Sequence, residues 1–237
     1  MGMPITIEVV GLKNKQPVEQ VFDFFKAVDE RFSPYKKDSE LSRLNQGADP
    51  LELSEEMRQI LRLCEETKQQ SDGYFDVRNN GKIDTSGLVK GWAIYKGTSI
   101  LKQQGFADFY IEAGGDIQAE GLNEQGEPWA VGIRSPFNIK QIIKVVRLSG
   151  LGIATSGAYI RGDHIYNPKQ INQPPAHIKS LTVIAGDVYE ADRFATAAYA
   201  MGESGISFIA SLPGFEGYMV NDRGVATYTD GFEQYVG

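Results

Sequence analysis

The stretch GLGIATSGAYIRGDHIYNPK, residues 150–169, carries the most information about the fold of this chain. A short apolar strand leads into Thr155-Ser156-Gly157, which we interpret as a small hydroxyl turn of the kind that holds a phosphate or a sugar. His164 follows, one of two histidines in the chain, and an imidazole can move a proton near neutral pH. A plain hairpin that carries a surface histidine is the alternative.

The composition predicts a soluble globular protein, since 41% of the 237 residues are hydrophobic and 23% are charged. The length is enough for a proper core, and we predict one domain over residues 1–237. The net charge of −7 argues against a nucleic-acid partner, whose phosphates need a basic surface. No run approaches the roughly 20 apolar residues of a membrane span, and no secretion signal begins the chain. We therefore expect a cytoplasmic protein that acts away from membranes.

The order of the elements predicts an α+β fold with a largely antiparallel sheet and flanking helices. Apolar spacing and capping residues predict helices that begin at Pro17 and Ser54, and a third over about residues 87–104. Residues 31–50 break this spacing with Pro, Ser, Asn and Gly, which indicates a long ordered loop. Strands are predicted at YFDV, FYIEA, DIQAEG, WAVGI, IIKVVRL and SLTVIAG, and the chain closes on a hairpin with Gly224 in its turn.

The segment ADRFATAAYAMG, residues 191–202, places Asp192 and Thr196 four residues apart. On a helix these two side chains share one face. A carboxylate and a hydroxyl so placed near a helix start suit a hard divalent cation, which takes oxygen ligands. In the alternative, Asp192 is an N-cap and Thr196 packs in the core.

The segment IDTSGLVKGWA, residues 83–93, contains a candidate phosphate site. Gly87 and Gly91 allow the backbone to approach a ligand closely, and Lys90 provides a cation in the first turn of a helix. The spacing differs from that of a P-loop. A turn with a solvated lysine is the alternative.

Two further segments are candidates for holding a nucleotide. Gly114-Gly115-Asp116 follows a strand, and its carboxylate suits a ribose or a base edge. In the loop before residue 46, Tyr35 suits stacking on a flat ring, whereas Ser39 and Asn45 suit hydrogen bonds to a nucleotide. A common double-glycine turn and a capped loop-to-helix transition are the respective alternatives.

Taken together and in this order, the segments resemble the ApbE family, the FAD:protein FMN transferases. The resemblance covers nearly the whole chain and rests on FSPYKKDSELSRLN, SDGYFDV, IDTSGLVKG, AGGDI, PWAVGI, GIATSGAY, HIYNP and ADRFATAA. It implies a mixed α/β fold with an FAD cleft between subdomains. It also implies Mg²⁺-dependent transfer of the FMN moiety of FAD to a Ser or Thr hydroxyl of a target flavoprotein, with release of AMP.

The resemblance also implies roles for individual residues. Asp192, Thr196 and the backbone carbonyl of Val89 would hold the metal. His164, near the reacting phosphate, and Lys90, as a second cation, are the catalytic candidates. The remaining positions would line the FAD site together with Lys90: Tyr35, Ser39, Asn45, Gly114, Gly115, Asp116, Thr155, Ser156 and Gly157.

The chain departs from the family pattern at several places, two of which stand out. Thr85-Ser86 stands where Leu-Gly is common, and Asn167 stands where an aspartate is usual. These departures bear on metal affinity, rate and target choice. Two other functions stay open: an FAD pyrophosphatase with water as the acceptor, and an FAD-binding protein without catalysis.

Overall fold

The protein is built from helices packed on an antiparallel sheet, and the computed structural model describes residues 2–157, 165–170 and 175–237. None of the helices in these ranges is long and apolar enough to cross a lipid bilayer. The helices are α1 (Gln16–Phe32), α2 (Glu40–Asn45), α3 (Glu55–Gln70), α4 (Ser86–Gln103), α5 (Val188–Ala200) and α6 (Gly205–Ser211). The strands are β1 (Ile5–Val9), β2 (Arg78–Asn79), β3 (Lys82–Ile83), β4 (Phe109–Ala113), β5 (Asp116–Glu120), β6 (Trp129–Arg134), β7 (Ile142–Leu148), β8 (Leu151–Gly157), β9 (Ile178–Ala185), β10 (Glu216–Asn221) and β11 (Ala226–Tyr228).

The main sheet has seven strands in the order β1-β4-β5-β8-β9-β10-β11, and β2–β3 and β6–β7 form separate two-stranded ribbons. Each neighbouring pair within the main sheet is antiparallel. This arrangement confirms the predicted α+β class. One end of the sheet, called the upper end here, carries Ala113, Asp116, Gly157, Ile178 and Asn221.

The two faces of the sheet are covered by different elements. Helices α4 and α5 pack on one face, and the β6–β7 ribbon packs on the other. Val183 and Ile184, neighbours in β9, belong to the clusters on opposite faces, because side chains alternate across a strand. The result is a sheet buried on both sides whose upper end remains accessible.

Close contact between β8 and α5 depends on a glycine. A Cβ on Gly152 would lie 2.0 Å from the backbone nitrogen of Val188, at the start of α5. Any larger residue would push the helix away from the sheet. Gly152 therefore sets the position of α5 against the strand that leads to the upper end.

The local predictions hold for most elements. The helices that begin near Pro17 and Ser54 are present, as is the helix predicted over 87–104. Ser54 caps α3, since its hydroxyl accepts from the Met57 amide at 3.1 Å. The closing hairpin is also confirmed, with Gly224 in the left-handed region at a φ of 77°.

Three local predictions are wrong. Residues 31–50 contain helix α2, which Ser39 caps by accepting from the Ser42 amide. YFDV is not a strand, because the Tyr74 and Phe75 amides donate to Ser71 in the turn after α3. Thr155-Ser156-Gly157 lies within strand β8, paired with β9, rather than in a turn.

Candidate active site

A pocket lies at the upper end of the sheet, between the start of α4, one face of α5, the end of β8 and the loop after α3. The structure thus brings together residues that are far apart in the sequence. Its lining includes Tyr74, Phe75, Asp76, Ser86, Gly87, Lys90, Gly114, Thr155, Ser156, Gly157, Ile165, Tyr166, Asp192 and Thr196.

Lys90 lies between two buried carboxylates at the floor of this pocket. Its Nζ contacts Asp116 Oδ2 and lies 3.3 Å from Asp192 Oδ1. The lysine side chain is only 12% exposed, so the alternative of a solvated lysine is rejected. Breaking a buried ion pair by removing one partner leaves an uncompensated charge, and the three side chains therefore depend on one another.

Asp192 connects helices α5 and α4. The N-cap of α5 is Asp187, whose Oδ1 accepts from the Glu190 amide at 2.9 Å, so Asp192 is not the cap. Asp192 Oδ2 instead accepts from the Gly91 amide of α4 at 2.8 Å. The ordinary helical acceptor for that amide is the Gly87 carbonyl, and the Asp192 carboxylate competes with it.

Four residues of the pocket lining, Gly87, Ser156, Asp192 and Thr196, carry oxygen atoms that could bind a cation beside Lys90. The Thr196 hydroxyl donates to the Gly87 carbonyl at 3.3 Å and lies 3.5 Å from Ser156 Oγ. With the Asp192 carboxylate, these groups form a set of the kind that hard cations prefer. No cluster of three or more His, Cys, Asp or Glu side chains suited to a metal occurs in the described ranges, so a cation here would depend on this mixed set.

Val89 does not contribute to the pocket lining. Its side chain packs in the core beneath α4, and its amide donates to the Thr85 carbonyl at 3.0 Å. The carbonyl that stands next to Thr196 is that of Gly87, two residues earlier. The spacing of Gly87 and Gly91 indicated this part of the helix, since residues four apart lie one turn from each other on the same face.

The environment of Asp192 acts on its ionisation. Burial raises the pKa of the Asp192 carboxyl, the Lys90 ammonium lowers that pKa, and Asp116 raises it again. Burial dominates because the carboxylate has lost its water. A divalent cation next to Asp192 would favour the ionised form of the carboxyl.

Asp116 belongs to the same charged cluster, and its role toward a nucleotide stays a prediction. Its Oδ1 accepts from the Thr155 amide at 3.1 Å, and the Thr155 hydroxyl lies 2.8 Å from that of Thr182. Of the two glycines before it, Gly114 lines the pocket and Gly115 is exposed. The carboxylate therefore ties β5 to β8 and to Lys90.

The predicted nucleotide residues before position 46 lie outside the pocket lining. Tyr35 is 93% exposed. Ser39 is buried as the cap of α2, and its hydroxyl also donates to the Ser33 carbonyl. Asn45 bonds both backbone groups of Ile83 at 2.8 Å. Their assignment to FAD stays a prediction that the pocket does not support.

His164 lies outside the described residues, but the segment that follows it, 165–170, packs against the loop after α3. The Tyr166 hydroxyl donates to the Asp76 carbonyl at 2.8 Å and to the Arg78 carbonyl at 3.2 Å. Lys169 Nζ pairs with Asp72 at 2.6 Å. These contacts close one side of the pocket, and no pattern in the sequence predicts them.

The two departures near the site have different settings. Thr85 is buried at the start of α4 and Ser86 lines the pocket. Asn167 is buried, and its Oδ1 accepts from the Lys169 amide at 2.9 Å. An asparagine can make this turn as an aspartate does. The change at Asn167 therefore removes a charge and keeps the acceptor.

The fold and the pocket define an α+β protein with a ligand site in which a buried lysine–carboxylate cluster adjoins hydroxyl and carbonyl oxygens. The model of the ApbE family matches residues 1–80 and 77–219. The chain belongs to the ApbE family.

Curated relatives and solved structures agree with this membership. The FAD:protein FMN transferase of Haemophilus influenzae is 25% identical over 276 residues, which covers 88% of this chain and 80% of that protein. The protein of the same name from Salmonella typhimurium is 30% identical over 152 residues, covering 60% and 43%. The flavin transferase ApbE of Vibrio cholerae shares the fold, with a TM-score of 0.85, 23% identity and coverage of 99% and 96%.

Proposed function

We propose that this chain is an FAD:protein FMN transferase, which moves the FMN moiety of FAD to a serine or threonine hydroxyl of a target flavoprotein. The observation that carries the proposal is the meeting of Lys90, Asp192 and Thr196 at one pocket in a chain of the ApbE family. The Haemophilus influenzae relative aligns with this chain over 80% of its length, and its name, FAD:protein FMN transferase, supports this activity.

In this reaction the acceptor oxygen bonds to the FMN phosphorus. The bond from that phosphorus to the bridging oxygen breaks, and AMP leaves with that oxygen. Phosphoryl transfer depends on positioning and on neutralising charge more than on a covalent intermediate. Lys90 supplies a fixed cation at the pocket floor, held by Asp116 and Asp192. Its ammonium therefore orients the pyrophosphate.

The oxygen donors of the pocket fit Mg²⁺. Asp192, Thr196 and the Gly87 carbonyl would hold the ion, because each offers a hard oxygen on the same wall. When bound, the ion neutralises charge on the phosphate oxygens. We propose the Gly87 carbonyl in place of the Val89 carbonyl as the backbone ligand. In a regular helix the Gly87 carbonyl accepts a hydrogen bond from the Gly91 amide. Because that amide donates to Asp192, the carbonyl oxygen is more accessible to a cation.

His164 is proposed as the residue that receives the proton of the acceptor hydroxyl. That proton must leave as the new bond to phosphorus forms, and an imidazole accepts it near neutral pH. Two residues later, Tyr166 is fixed to the pocket wall by its two hydrogen bonds. His164 itself lies outside the described residues, so its proposed role rests on the family resemblance and on the chemistry of imidazole.

The activity is tested by incubating the chain with FAD, MgCl₂ and fragments of candidate flavoproteins, each of which carries serine and threonine hydroxyls. Intact-mass spectrometry should detect one FMN adduct on a fragment, and chromatography should detect one AMP for each adduct. EDTA should stop both. Free FMN and AMP without an adduct would instead identify a pyrophosphatase, and intact bound FAD would identify a binding protein.

Replacing Tyr166 with phenylalanine is expected to raise the KM for FAD about fivefold while kcat changes little. The variant lacks the hydroxyl that fixes segment 165–170, and a hydrogen bond of this kind contributes about 1 kcal/mol. Since about 1.4 kcal/mol corresponds to a tenfold change, the loss of about 1 kcal/mol gives about fivefold. Burial raises the pKa of Tyr166 to about 12, so the wild-type hydroxyl remains a donor at any working pH. Steady-state kinetics against FAD make the measurement. An unchanged KM would show that segment 165–170 does not shape the pocket.

A further inference from the structure

Large apolar side chains are exposed where two hairpins meet. Phe137 is 56% exposed and Ile139 is 53% exposed, both in the loop between β6 and β7, and Val225 in the β10–β11 turn is 56% exposed. A Cβ placed on Gly224 would lie 3.7 Å from the Phe137 ring, so the two loops touch. Contiguous exposed apolar surface of this kind marks an interaction site more often than a single exposed residue does.

Basic residues surround these side chains. The two loops, residues 134–141 and 222–225, contain three Lys and Arg residues and one acidic residue, Asp222, in a chain with 24 basic and 31 acidic residues. Lys140 and Arg223 are exposed beside the apolar group. The local charge is therefore opposite to that of the whole protein, which favours a partner with an acidic surface.

This surface lies at the same end of the sheet as the pocket. Gly157, which lines the pocket, pairs with Ser180 at the start of β9. Ile178, also at the start of β9, pairs with Asn221, the residue just before the β10–β11 turn. Neighbouring strands lie about 4.8 Å apart, so β10, which leads into the turn, lies two strand spacings, about 10 Å, to the side of β8.

We infer that the acceptor protein docks on this surface, named the tip surface and formed by Phe137, Ile139, Lys140, Arg223 and Val225. The inference rests on the proposed function. Transfer requires a second protein to bring a hydroxyl to the upper end of the sheet, and its folded body must then lie beside the pocket. A second copy of this chain, or a lipid surface, would obstruct that approach if it covered the same residues. The partner is therefore an acceptor whose acidic residues surround an apolar face.

The test is the double variant Phe137→Ser/Ile139→Ser, assayed with the acceptor that carries the adduct in the experiment above. The KM for the acceptor protein should rise about tenfold or more, as expected for aromatic and aliphatic anchors of an interface. The KM for FAD should not change. Transfer to a short synthetic peptide that spans the modified hydroxyl should also be unchanged, because the peptide needs only the pocket.

The matched control is Leu122→Ser. Leu122 is 40% exposed and follows β5 at the opposite end of the sheet, so this variant should have the wild-type KM for the acceptor. A second arm uses Lys140→Glu/Arg223→Glu, which should raise the same KM and reduce its dependence on salt.

Several results would overturn the docking inference. An unchanged KM for the acceptor in the Phe137/Ile139 variant would do so, and so would an equal loss with the peptide. If the variant kept the wild-type KM for the acceptor but no longer bound phosphatidylglycerol vesicles, the surface would be assigned to lipid. If it kept that KM but no longer formed a dimer in light scattering, the surface would be assigned to a second copy of this chain. Absence of any adduct with the wild-type protein would overturn the proposed function itself, and that result needs no variant.

Discussion

Replacing Asp192 with alanine is expected to lower kcat for FMN transfer by about 100-fold or more and to remove its response to Mg²⁺. The change removes the charged member of the proposed metal-binding set and one of the two carboxylates that hold Lys90. Charge stabilisation by a bound metal is worth several kcal/mol, and each 1.4 kcal/mol or so is tenfold in rate. Initial rates over a Mg²⁺ titration make the measurement.

Two variants separate loss of the metal from damage to helix α5. Asp192→Asn keeps the shape and can still accept from the Gly91 amide, so it should fold normally and remain inactive. Asp187→Ala removes the cap of the same helix and should cost about 1 kcal/mol of stability, with little effect on kcat. If Asp192→Ala retained both its activity and its Mg²⁺ response, the metal assignment would be wrong.

Replacing Gly91 with alanine is expected to reduce transfer by about 100-fold in protein that remains folded. A Cβ at this position would lie 2.6 Å from Asp192 Cβ and 2.7 Å from the Val188 carbonyl oxygen. Because the second of these is backbone, helix α5 must shift away from α4. A displacement of about 1 Å at a reacting site can cost about 100-fold in rate, and crowding of this kind costs about 1–3 kcal/mol of stability.

Gly97→Ala is the matched control for this variant. Gly97 is also buried in α4, but its Cβ would meet the side chains of Val21 and Ile111, at 3.0 and 3.3 Å, away from the pocket. This variant should lose stability, measured by thermal unfolding, and keep the wild-type kcat. Equal kinetic losses in both variants would show that the effect at Gly91 comes from the helix and not from Asp192.

Local regularities made most of the helices predictable. The apolar spacing of α1 and the cap at Ser54 are visible within a few residues, since both depend on neighbours along one helix. The prediction of a strand at YFDV is wrong. Phe75 is buried, but its amide donates to Ser71 in the turn after α3 and not to another strand. An apolar run shows burial, but the type of backbone depends on where its hydrogen bonds go.

The candidate site divides in the same way. Asp192 and Thr196 were predictable together because four residues on a helix put them on one face. Ser39 and Asn45 were predicted as nucleotide ligands by residue type. In the structure their polar atoms serve as a helix cap and as a link to Ile83. Their role toward FAD stays a prediction, because residue type alone does not distinguish a side chain that binds a ligand from one that satisfies the backbone.

The sequence by itself determined the α+β class, most helices and the pairing of Asp192 with Thr196, because each depends on periodicity or spacing over a few residues. Only the tertiary structure decided which groups meet. The Gly91 amide reaches Asp192 across 101 positions of sequence, and Lys90 contacts Asp116 on a different element. Contacts between residues so far apart in sequence depend on how helices and strands pack. The need for glycine at position 91 is visible only in the structure, because it depends on the close approach of helix α5.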